Sequence, residues 1–291
     1  MSATELDSTD AAPAPAFDEV IVTTRRSVTA PVRVYEPAGG ASAGTATVLA
    51  LHGAGGWLPG EPVLDGLVEA GLRVVAPVWP AWSEHGDEDR LSDMADFALH
   101  GWDVATEMGL LEGDGNSELH LLGHSMGGMI AAEMAALAPQ SVARMALLCP
   151  AGIWLGDHPI PDIFAMLPYQ LAEVLFADPN VGEEVLTGGA DFSDNETLTR
   201  FMVARARQQG MAGKILFPIP NRRFSERAYR VTVPTLLVWG RQDRLIPPAY
   251  ADAWQAALPE ASVELVDGAG HMLPYEQPAA VVAAVTAHLQ G

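Results

Sequence analysis

The stretch Leu121-Leu-Gly-His-Ser-Met-Gly-Gly128 joins an apolar, strand-like segment to a helix-like segment rich in alanine and methionine. A serine between two glycines at a sharp strand-to-helix turn is typical of a nucleophile whose hydroxyl is exposed above the end of a sheet. Because such a turn strains the backbone, side chains must be absent two residues before and after the serine, at Gly123 and Gly127. Gly128 lets the helix approach the sheet closely. The pattern predicts Ser125 as a nucleophile.

A serine hydroxyl needs an adjacent base near neutral pH. His271 ends the turn Asp267-Gly-Ala-Gly-His271 after a strand-like segment, where its ring can reach over the sheet edge. His124 adjoins Ser125, but its ring is expected to point away behind the turn, and His52 is expected to support the glycine-rich loop that it opens. The other histidines do not follow the end of a strand: His85, His100, His120, His158 and His288. His271 is the predicted base.

The base in turn needs an acid that fixes its tautomer and stabilises the imidazolium. Asp243 lies in Gly240-Arg-Gln-Asp-Arg-Leu-Ile-Pro247, directly after another apolar segment. Asp157 and Asp267 are weaker candidates. The arginines on either side of Asp243 leave a surface ion pair open as its alternative role. We predict Asp243 as the acid.

A tetrahedral intermediate needs hydrogen-bond donors for its negatively charged oxygen. The backbone N–H of Met126 follows the serine directly, and a second N–H is expected from the loop Leu51-His-Gly-Ala-Gly-Gly56. We assign that second donor to Ala54, with Gly55 as the next choice. The loop lacks the lysine and the spacing of a phosphate-binding loop, which argues against a phosphate-cradling role.

Short apolar segments alternate with helix-like segments along most of the chain. Strands buried on both faces of a parallel sheet have this composition, while the first two segments lie close together, as antiparallel strands do. The strand-like segments cover residues 19–23, 32–35, 46–51, 72–78, 118–122, 144–149, 235–239 and 262–266, and the helix-like segments cover 61–70, 91–108, 126–138, 249–258 and 278–289. The pattern predicts an α/β fold with a mostly parallel sheet and an antiparallel edge.

The chain between the sixth and seventh strand-like segments breaks this alternation. Residues 161–176 have helical spacing, with Pro168 expected to open a second helix, and residues 197–209 are a further helix candidate. The glycine-rich stretch 188–195 between them is expected to be a loop. The resulting division is a disordered tail at 1–16, an α/β core at 17–152 and 231–291, and an inserted helical cap at 153–230.

The composition limits the classes of partner. The 291 residues are 49% hydrophobic and include 37 acidic and 16 basic side chains, for a formal net charge of −21. This is ample apolar material for a core, but the charge repels nucleic-acid phosphates and anionic lipid headgroups, so neither is an expected partner. No apolar run has the length of a membrane span and no secretory signal is recognisable, so a cytoplasmic location is expected.

Metal and cysteine chemistry are not expected. Cys149 is the single cysteine, so no intrachain disulfide can form, and its apolar context predicts an inert buried thiol. The acidic stretch Glu84-His-Gly-Asp-Glu-Asp89 lacks the spacing of a calcium loop and is interpreted as solvated. Serine, histidine and aspartate chemistry requires no cofactor, and none is predicted.

Four motifs together resemble the α/β-hydrolase superfamily: His52-Gly53, Gly123-His-Ser-Met-Gly-Gly128, Gly240-Arg-Gln-Asp243 and Gly270-His271. The order serine, aspartate, histidine is also the order of that superfamily. The resemblance extends from Glu19 to the carboxyl terminus and implies an eight-stranded sheet, with helices on both faces and a lid over the site. It is closest to the lipase, carboxylesterase and carbon–carbon hydrolase branch, since dehalogenases and epoxide hydrolases have aspartate in place of the serine.

Two positions differ from the carbon–carbon hydrolases that act on meta-cleavage products. Relatives of that type usually have asparagine before the nucleophile and an aromatic residue after the base, where this chain has His124 and Met272. The stretch Trp79-Pro-Ala-Trp-Ser83 also replaces the Pro-Gly-His-Gly that is common among relatives.

The favoured function is therefore a cofactor-free serine hydrolase of small to medium apolar carboxylic esters. Its pocket is predicted to include Gly55, Trp57, Trp154, Ile163 and Phe164, although the apolar cap residues could instead seal the core of the cap itself. Two alternatives remain open: carbon–carbon bond cleavage by the same residues, and a ligand receptor on the same fold without catalysis. The sequence leaves the oligomeric state open.

Overall fold

A computed structural model describes residues 17–42, 44–58, 60–111, 119–217 and 223–291. The predicted tail at 1–16 lies outside the described residues, as do residue 118 of the fifth predicted strand and residues 218–222 of the predicted cap. The strands are β1 (Asp18–Thr23), β2 (Thr29–Tyr35), β3 (Thr47–Leu51), β4 (Arg73–Pro77), β5 (Leu119–His124), β6 (Arg144–Leu148), β7 (Thr235–Gly240) and β8 (Ala261–Val266). All eight agree with the predicted segments within a few residues.

These strands form one eight-stranded sheet with the order β1-β2-β4-β3-β5-β6-β7-β8. β1 pairs antiparallel with β2, and β2 pairs antiparallel with β4. Every pairing from β4 onward is parallel, with Leu51 opposite Gly123 and Val238 opposite Glu264 as examples of the register. The mostly parallel sheet with an antiparallel edge is confirmed.

Helices connect and cover the parallel strands, as the alternating pattern predicts. They are α1 (Pro62–Glu69), α2 (Met94–Glu107), α3 (Met126–Leu137), α4 (Pro168–Leu175), α5 (Pro179–Thr187), α6 (Asn195–Leu216), α7 (Ala249–Ala257), α8 (Leu273–Glu276) and α9 (Pro278–Gln290). α1 packs against α9, and α2 packs against α3. None of the described helices combines the length and the apolarity that crossing a bilayer requires.

The structure corrects the helix predicted at 161–176. Residues 161–167 form turns, and only α4, which begins at Pro168, is helical. Asp162 accepts a hydrogen bond from the N–H of Phe164 through Oδ1 at 2.9 Å, a local turn that competes with helix formation. Leu167 precedes a proline and is extended, with φ −73° and ψ 155°. Proline chemistry therefore overrides the helical spacing of the apolar residues.

Two further differences concern α5 and α6. α5 was not predicted, although its ends carry helix signals. Asp178 caps the first turn by accepting from the N–H of Asn180, a proline follows at the first helical position, and Gly188 ends the helix in the left-handed conformation. α6 is longer than the predicted 197–209 and continues through two glycines. Burial of Met211 and Ile215 accounts for this extension, because tertiary packing outweighs the low helix propensity of glycine.

The topology gathers three strand-end loops at one edge of the sheet. β5, β6, β7 and β8 are neighbours and run parallel, so their carboxyl ends face the same side. Ser125 follows β5, Asp243 follows β7 and His271 follows β8. Residues that are far apart in sequence are thereby brought together beneath α4, α5 and α6.

Candidate active site

Ser125 lies at a strained turn between β5 and α3. Its φ is +53°, a left-handed conformation that non-glycine residues rarely adopt, and its N–H donates to the carbonyl oxygen of Leu148 at 2.9 Å. A Cβ on Gly123 would lie 2.4 Å from the carbonyl oxygen of Gly127, and a Cβ on Gly127 would lie 2.1 Å from that of Leu51. The requirement for glycine at both positions is confirmed.

Ser125, His271 and Asp243 form a continuous chain of hydrogen bonds. His271 Nε2 lies 2.8 Å from Ser125 Oγ, and His271 Nδ1 lies 2.8 Å from Asp243 Oδ2. Since a carboxylate only accepts, Nδ1 carries the proton and Nε2 is free to accept the hydroxyl proton of the serine. All three side chains are buried. This geometry allows the imidazole to draw a proton from the serine as the hydroxyl attacks an electrophile.

Backbone groups fix the carboxylate of Asp243. Its Oδ1 accepts from the N–H groups of Leu245 and Ile246 at 2.9 and 2.8 Å, which leaves Oδ2 for His271. The surface ion pair considered as an alternative is not its role, because Arg241 pairs with Asp267 at 2.8 Å. Arg244, on the other side, donates to the carbonyl oxygen of Phe176 at 2.6 Å. The other acids considered, Asp157 and Asp267, are exposed.

His52 supports the glycine-rich loop after β3, as predicted. Its Nδ1 donates to the carbonyl oxygen of Gly53 at 2.8 Å, and its Nε2 accepts from the N–H of Trp79 at 3.2 Å. Burial lowers the pKa of His52 to about 3, so the ring is neutral, as these two bonds require. Within the described part of the chain, neither the N–H of Ala54 nor that of Met126 donates to any acceptor. Ala54 lines the cavity above Ser125, whereas Met126 is fully buried at the start of α3.

His124 occupies a different place from the one expected. Instead of pointing away behind the turn, its Nε2 donates to the backbone carbonyl oxygen of His271 at 2.8 Å, and the two rings lie 5.2 Å apart. Burial and the neighbouring His271 lower the pKa of His124 to about 3, so the ring is neutral. His124 also lines the cavity above Ser125. The residue before the serine thus contacts the loop that carries the base.

The cavity above Ser125 has two lobes. The larger, here called the polar lobe, is lined by Gly53–Gly56, His271 and three polar residues of α6, Arg205, Gln208 and Gln209, together with apolar residues that include Leu171, Leu175, Leu186 and Met272. The smaller, the apolar lobe, is lined almost entirely by apolar residues, including Met129, Trp154, Ile160, Ile215 and Ile246. Ser125, Ile163, Phe164 and Leu245 line both lobes. The serine therefore lies where the two lobes meet.

Four of the five predicted pocket residues line these lobes. Gly55 lines the polar lobe, Trp154 lines the apolar lobe, and Ile163 and Phe164 contribute to both. Trp57 instead lines a third, smaller cavity, and its indole N–H donates to the carbonyl oxygen of Pro77 at 2.9 Å. That bond holds the indole against the end of β4. Trp57 is thus placed outside the two lobes.

Comparison with known proteins identifies the family. The family model described as "Alpha/beta hydrolase family" matches residues 48–285. The chain belongs to the α/β-hydrolase family. Among its relatives, it is 27% identical over 250 residues to a 2-hydroxy-6-oxononadienedioate/2-hydroxy-6-oxononatrienedioate hydrolase of Pseudomonas putida, covering 80% of this chain and 84% of that protein. It is 33% identical over 280 residues to a dihydrolipoyllysine-residue acetyltransferase component of the acetoin cleaving system of Cupriavidus necator, covering 89% and 67%.

Solved structures share the fold of this α/β-hydrolase. A bacterial membrane phospholipase A superposes with a TM-score of 0.72 at 21% identity, over 95% of this chain and 86% of that one. A meta-cleavage product hydrolase from Pseudomonas fluorescens IP01 superposes with a TM-score of 0.70 at 16% identity, over 93% and 97%. The similarity supports the eight-stranded sheet with helices on both faces.

Glu276 of the α/β-hydrolase is a partly buried link between two loops, and the sequence does not predict it. Its Oε2 accepts from the N–H of Gly270 at 2.8 Å, and its Oε1 accepts from the N–H of Ala177 at 2.6 Å. Burial raises the pKa of this carboxyl. Met272 donates its N–H to the carbonyl oxygen of Leu175 at 3.0 Å in the same region. These bonds tie the end of α4 to the loop that carries His271, and no local sequence pattern signals them.

Cys149 lies beside the buried pair in the hydrolase. Burial and the charge of Asp243 raise the pKa of its thiol well above the ordinary value, so it stays protonated and is a poor nucleophile. Ligand atoms of Cys149, Asp243 and His271 lie within 4.8 Å of one another, the one such group of metal-binding residue types among the described residues. A metal ion there would have to break the bond between Asp243 and His271.

Proposed function

We propose that the protein is a cofactor-free serine hydrolase that cleaves small to medium carboxylic esters through an acyl-enzyme. The observation that carries the proposal is the 2.8 Å contact between Ser125 Oγ and His271 Nε2 at the junction of the two lobes. Ser125 is then the nucleophile, His271 the general base and Asp243 the acid that orients the base. Residues 153–230 act as a cap that closes the cavity.

The first half of the reaction forms the acyl-enzyme. His271 Nε2 takes the hydroxyl proton as Ser125 Oγ attacks the carbonyl carbon of the ester, and the negative charge that develops on the carbonyl oxygen is met by the N–H groups of Ala54 and Met126. When the tetrahedral intermediate collapses, the carbon–oxygen bond to the alcohol breaks. The imidazolium returns its proton to the departing alkoxide, and the alcohol leaves.

The second half releases the acid. Water enters in place of the alcohol, gives a proton to His271 Nε2 and attacks the acyl carbon. The bond to Ser125 Oγ breaks as the oxygen takes the proton back from the imidazolium, which restores the starting state. Asp243 stabilises the imidazolium in both halves without itself taking the proton. No group outside the chain and the water is required.

The second candidate is hydrolysis of a carbon–carbon bond beside a carbonyl. It is favoured by the relative from Pseudomonas putida, whose name describes a hydrolase of hydroxy-oxo-dienedioates and of which this chain covers 84%. The same nucleophile and base would serve that reaction. A receptor without turnover is disfavoured because the bond from serine to histidine is already formed and strain is maintained at Ser125.

A series of p-nitrophenyl esters tests the proposal. Each buried CH₂ group is worth roughly 0.8 kcal/mol, so kcat/KM should rise from acetate to about hexanoate as the acyl chain enters the lobes. Ile163→Asp or Phe164→Asp should flatten this rise while acetate hydrolysis is retained. The surface substitution Val203→Asp, on an exposed residue of α6, is the control. Absence of ester turnover together with cleavage of a hydroxy-oxo-dienoate would favour the second candidate, and activity that peaks at acetate would contradict the assigned pocket.

A further inference from the structure

Arg205 places a positive charge in the cavity above Ser125. It lies on α6 with Gln208, Gln209 and Ala212, at helical spacings of three, four and seven residues, so all four share the helix face that lines the polar lobe. Arg205 is partly buried. The apolar lobe, by contrast, has no charged residue among its described lining residues. The two sides of the serine therefore differ in charge.

Arg205 has no partner among the side chains that the structure describes. It makes no ion pair and no hydrogen bond with them, and no described charge influences its titration. Its neighbours on α6 are engaged: Arg200 pairs with Glu196, Arg207 pairs with Glu88, and Lys214 donates to the carbonyl oxygen of Leu91. Acidic side chains outnumber basic ones in this chain, 37 to 16, so an arginine without an acidic partner is unexpected.

Removing an unpaired guanidinium partly from water costs desolvation free energy. An anionic ligand that pairs with it offsets this cost. Desolvation lowers the pKa of Arg205, yet a guanidinium keeps its proton in proteins. Its planar fork of N–H donors matches the two oxygens of a carboxylate. Gln208 and Gln209 add amide groups on the same face, which can donate to the same oxygens.

We propose that Arg205 binds a carboxylate of the substrate in the polar lobe, so that the natural substrate is an anion with an apolar group on the other side of the bond that is cleaved. This inference rests on the proposed function and adds the charge of the substrate to it. Binding a carboxylate pairs the guanidinium and fills the polar lobe, while the apolar lobe takes the uncharged part. A neutral ester can fill the apolar lobe but leaves the guanidinium of Arg205 unpaired.

Matched esters that differ in one group test the inference. In the acyl arm, the mono-p-nitrophenyl ester of adipic acid is compared with the p-nitrophenyl ester of adipic monoamide. In the alcohol arm, 4-(hexanoyloxy)benzoate is compared with 4-(hexanoyloxy)benzamide. The readout is the ratio of kcat/KM for the charged ester to that for the neutral ester. The two arms distinguish a carboxylate carried on the acyl side from one carried on the alcohol side.

In at least one arm, the wild-type ratio should exceed one, and Arg205→Met should lower it about 10- to 100-fold, the range of a charged hydrogen bond. Arg205→Lys should retain part of the preference, because it keeps the charge but not the fork. Arg200→Met, which removes a charge from the exposed surface of the same helix, should leave the ratio as in the wild type. A ratio that Arg205→Met leaves unchanged in both arms would overturn the inference.

Binding measured by calorimetry separates this inference from the proposed function. Hexanoate should bind the wild-type protein and the Arg200→Met variant more tightly than hexanamide does, and Arg205→Met should lose that difference. This measurement needs no turnover. If no ester is hydrolysed, the proposed function fails, and the binding result alone decides whether Arg205 recognises a carboxylate. Equal binding of hexanoate by the wild type and Arg205→Met would overturn the inference.

Discussion

His124 Nε2 donates to the backbone carbonyl oxygen of His271 at 2.8 Å, so the residue before the proposed nucleophile holds the loop of the proposed base. The contact joins the last residue of β5 to the turn after β8 across the sheet edge. Because reacting groups lose rate steeply when they are misplaced by an ångström, such a contact matters for catalysis without touching the substrate. His124 is a positioning residue in this account.

Loss of the His124 contact should lower kcat more than it raises KM. We predict that His124→Ala reduces kcat about 10- to 100-fold, since the loop of His271 loses its support. His124→Gln can donate to the same carbonyl oxygen and should recover most of the activity. Steady-state kinetics of both variants on one ester check this. Equal losses in the two variants would contradict a supporting role for the hydrogen bond from position 124 to the carbonyl oxygen of His271.

Ser125 and His271 should behave as one unit. Ser125→Ala should reduce ester turnover roughly 10⁴- to 10⁶-fold, His271→Ala should cost a similar factor, and the double variant should lose little more. The reason is that neither group is useful without the other. Turnover measured for the three variants checks the prediction. Losses that multiply in the double variant would count against a shared proton-transfer step.

Asp243 should support catalysis by keeping the proton of His271 on Nδ1. Asp243→Asn should keep the fold but lower kcat on the order of 10⁴-fold, because an amide that donates to Nδ1 favours the wrong tautomer. Asp157→Asn, on an exposed acid, is the matched control and should retain activity. Thermal unfolding of both variants verifies that they are folded. A larger loss for Asp157→Asn would mean that the acid has been misassigned.

The raised pKa of Glu61 should make the free energy of unfolding decrease as the pH rises. It is buried, accepts from the hydroxyl of Tyr275 at 2.9 and 2.8 Å, and burial raises its pKa to about 8. Between about 4.5 and 8 the folded protein therefore holds a proton that the unfolded chain releases, so the free energy of unfolding decreases with pH by at most about 1.4 kcal/mol per unit. Above about pH 8 this decrease levels off.

Urea unfolding of the wild type and of Glu61→Gln from pH 5 to pH 8 measures this contribution. The free energy of unfolding of the wild type minus that of the variant should decline over this range, since the titration of all other groups cancels in the difference. A difference that is constant from pH 5 to pH 8 would show that Glu61 is ionised in the folded protein.

The sheet and the loops that carry Ser125, Asp243 and His271 were predictable because their signals are local. Buried parallel strands are apolar runs, and strand-end residues follow from where those runs stop. The cap was less predictable. Pro168 and the turn at Asp162 prevent a helix at 161–167 despite the helical spacing of its apolar residues, while burial of Met211 and Ile215 extends α6 through its glycines. The positions of Trp57 and His124 depend on contacts with distant backbone, at Pro77 and His271, which no local pattern encodes.

The most direct test of the account is to trap the acyl-enzyme. The wild type and Ser125→Ala are mixed with p-nitrophenyl hexanoate, quenched in acid within the first turnover, and digested for mass spectrometry. We predict one hexanoyl group per wild-type chain, on the peptide that contains Ser125, appearing together with a burst of p-nitrophenol, and no such adduct in Ser125→Ala. An adduct on another residue, or turnover of the ester without any adduct on Ser125 under single-turnover conditions, would contradict the account.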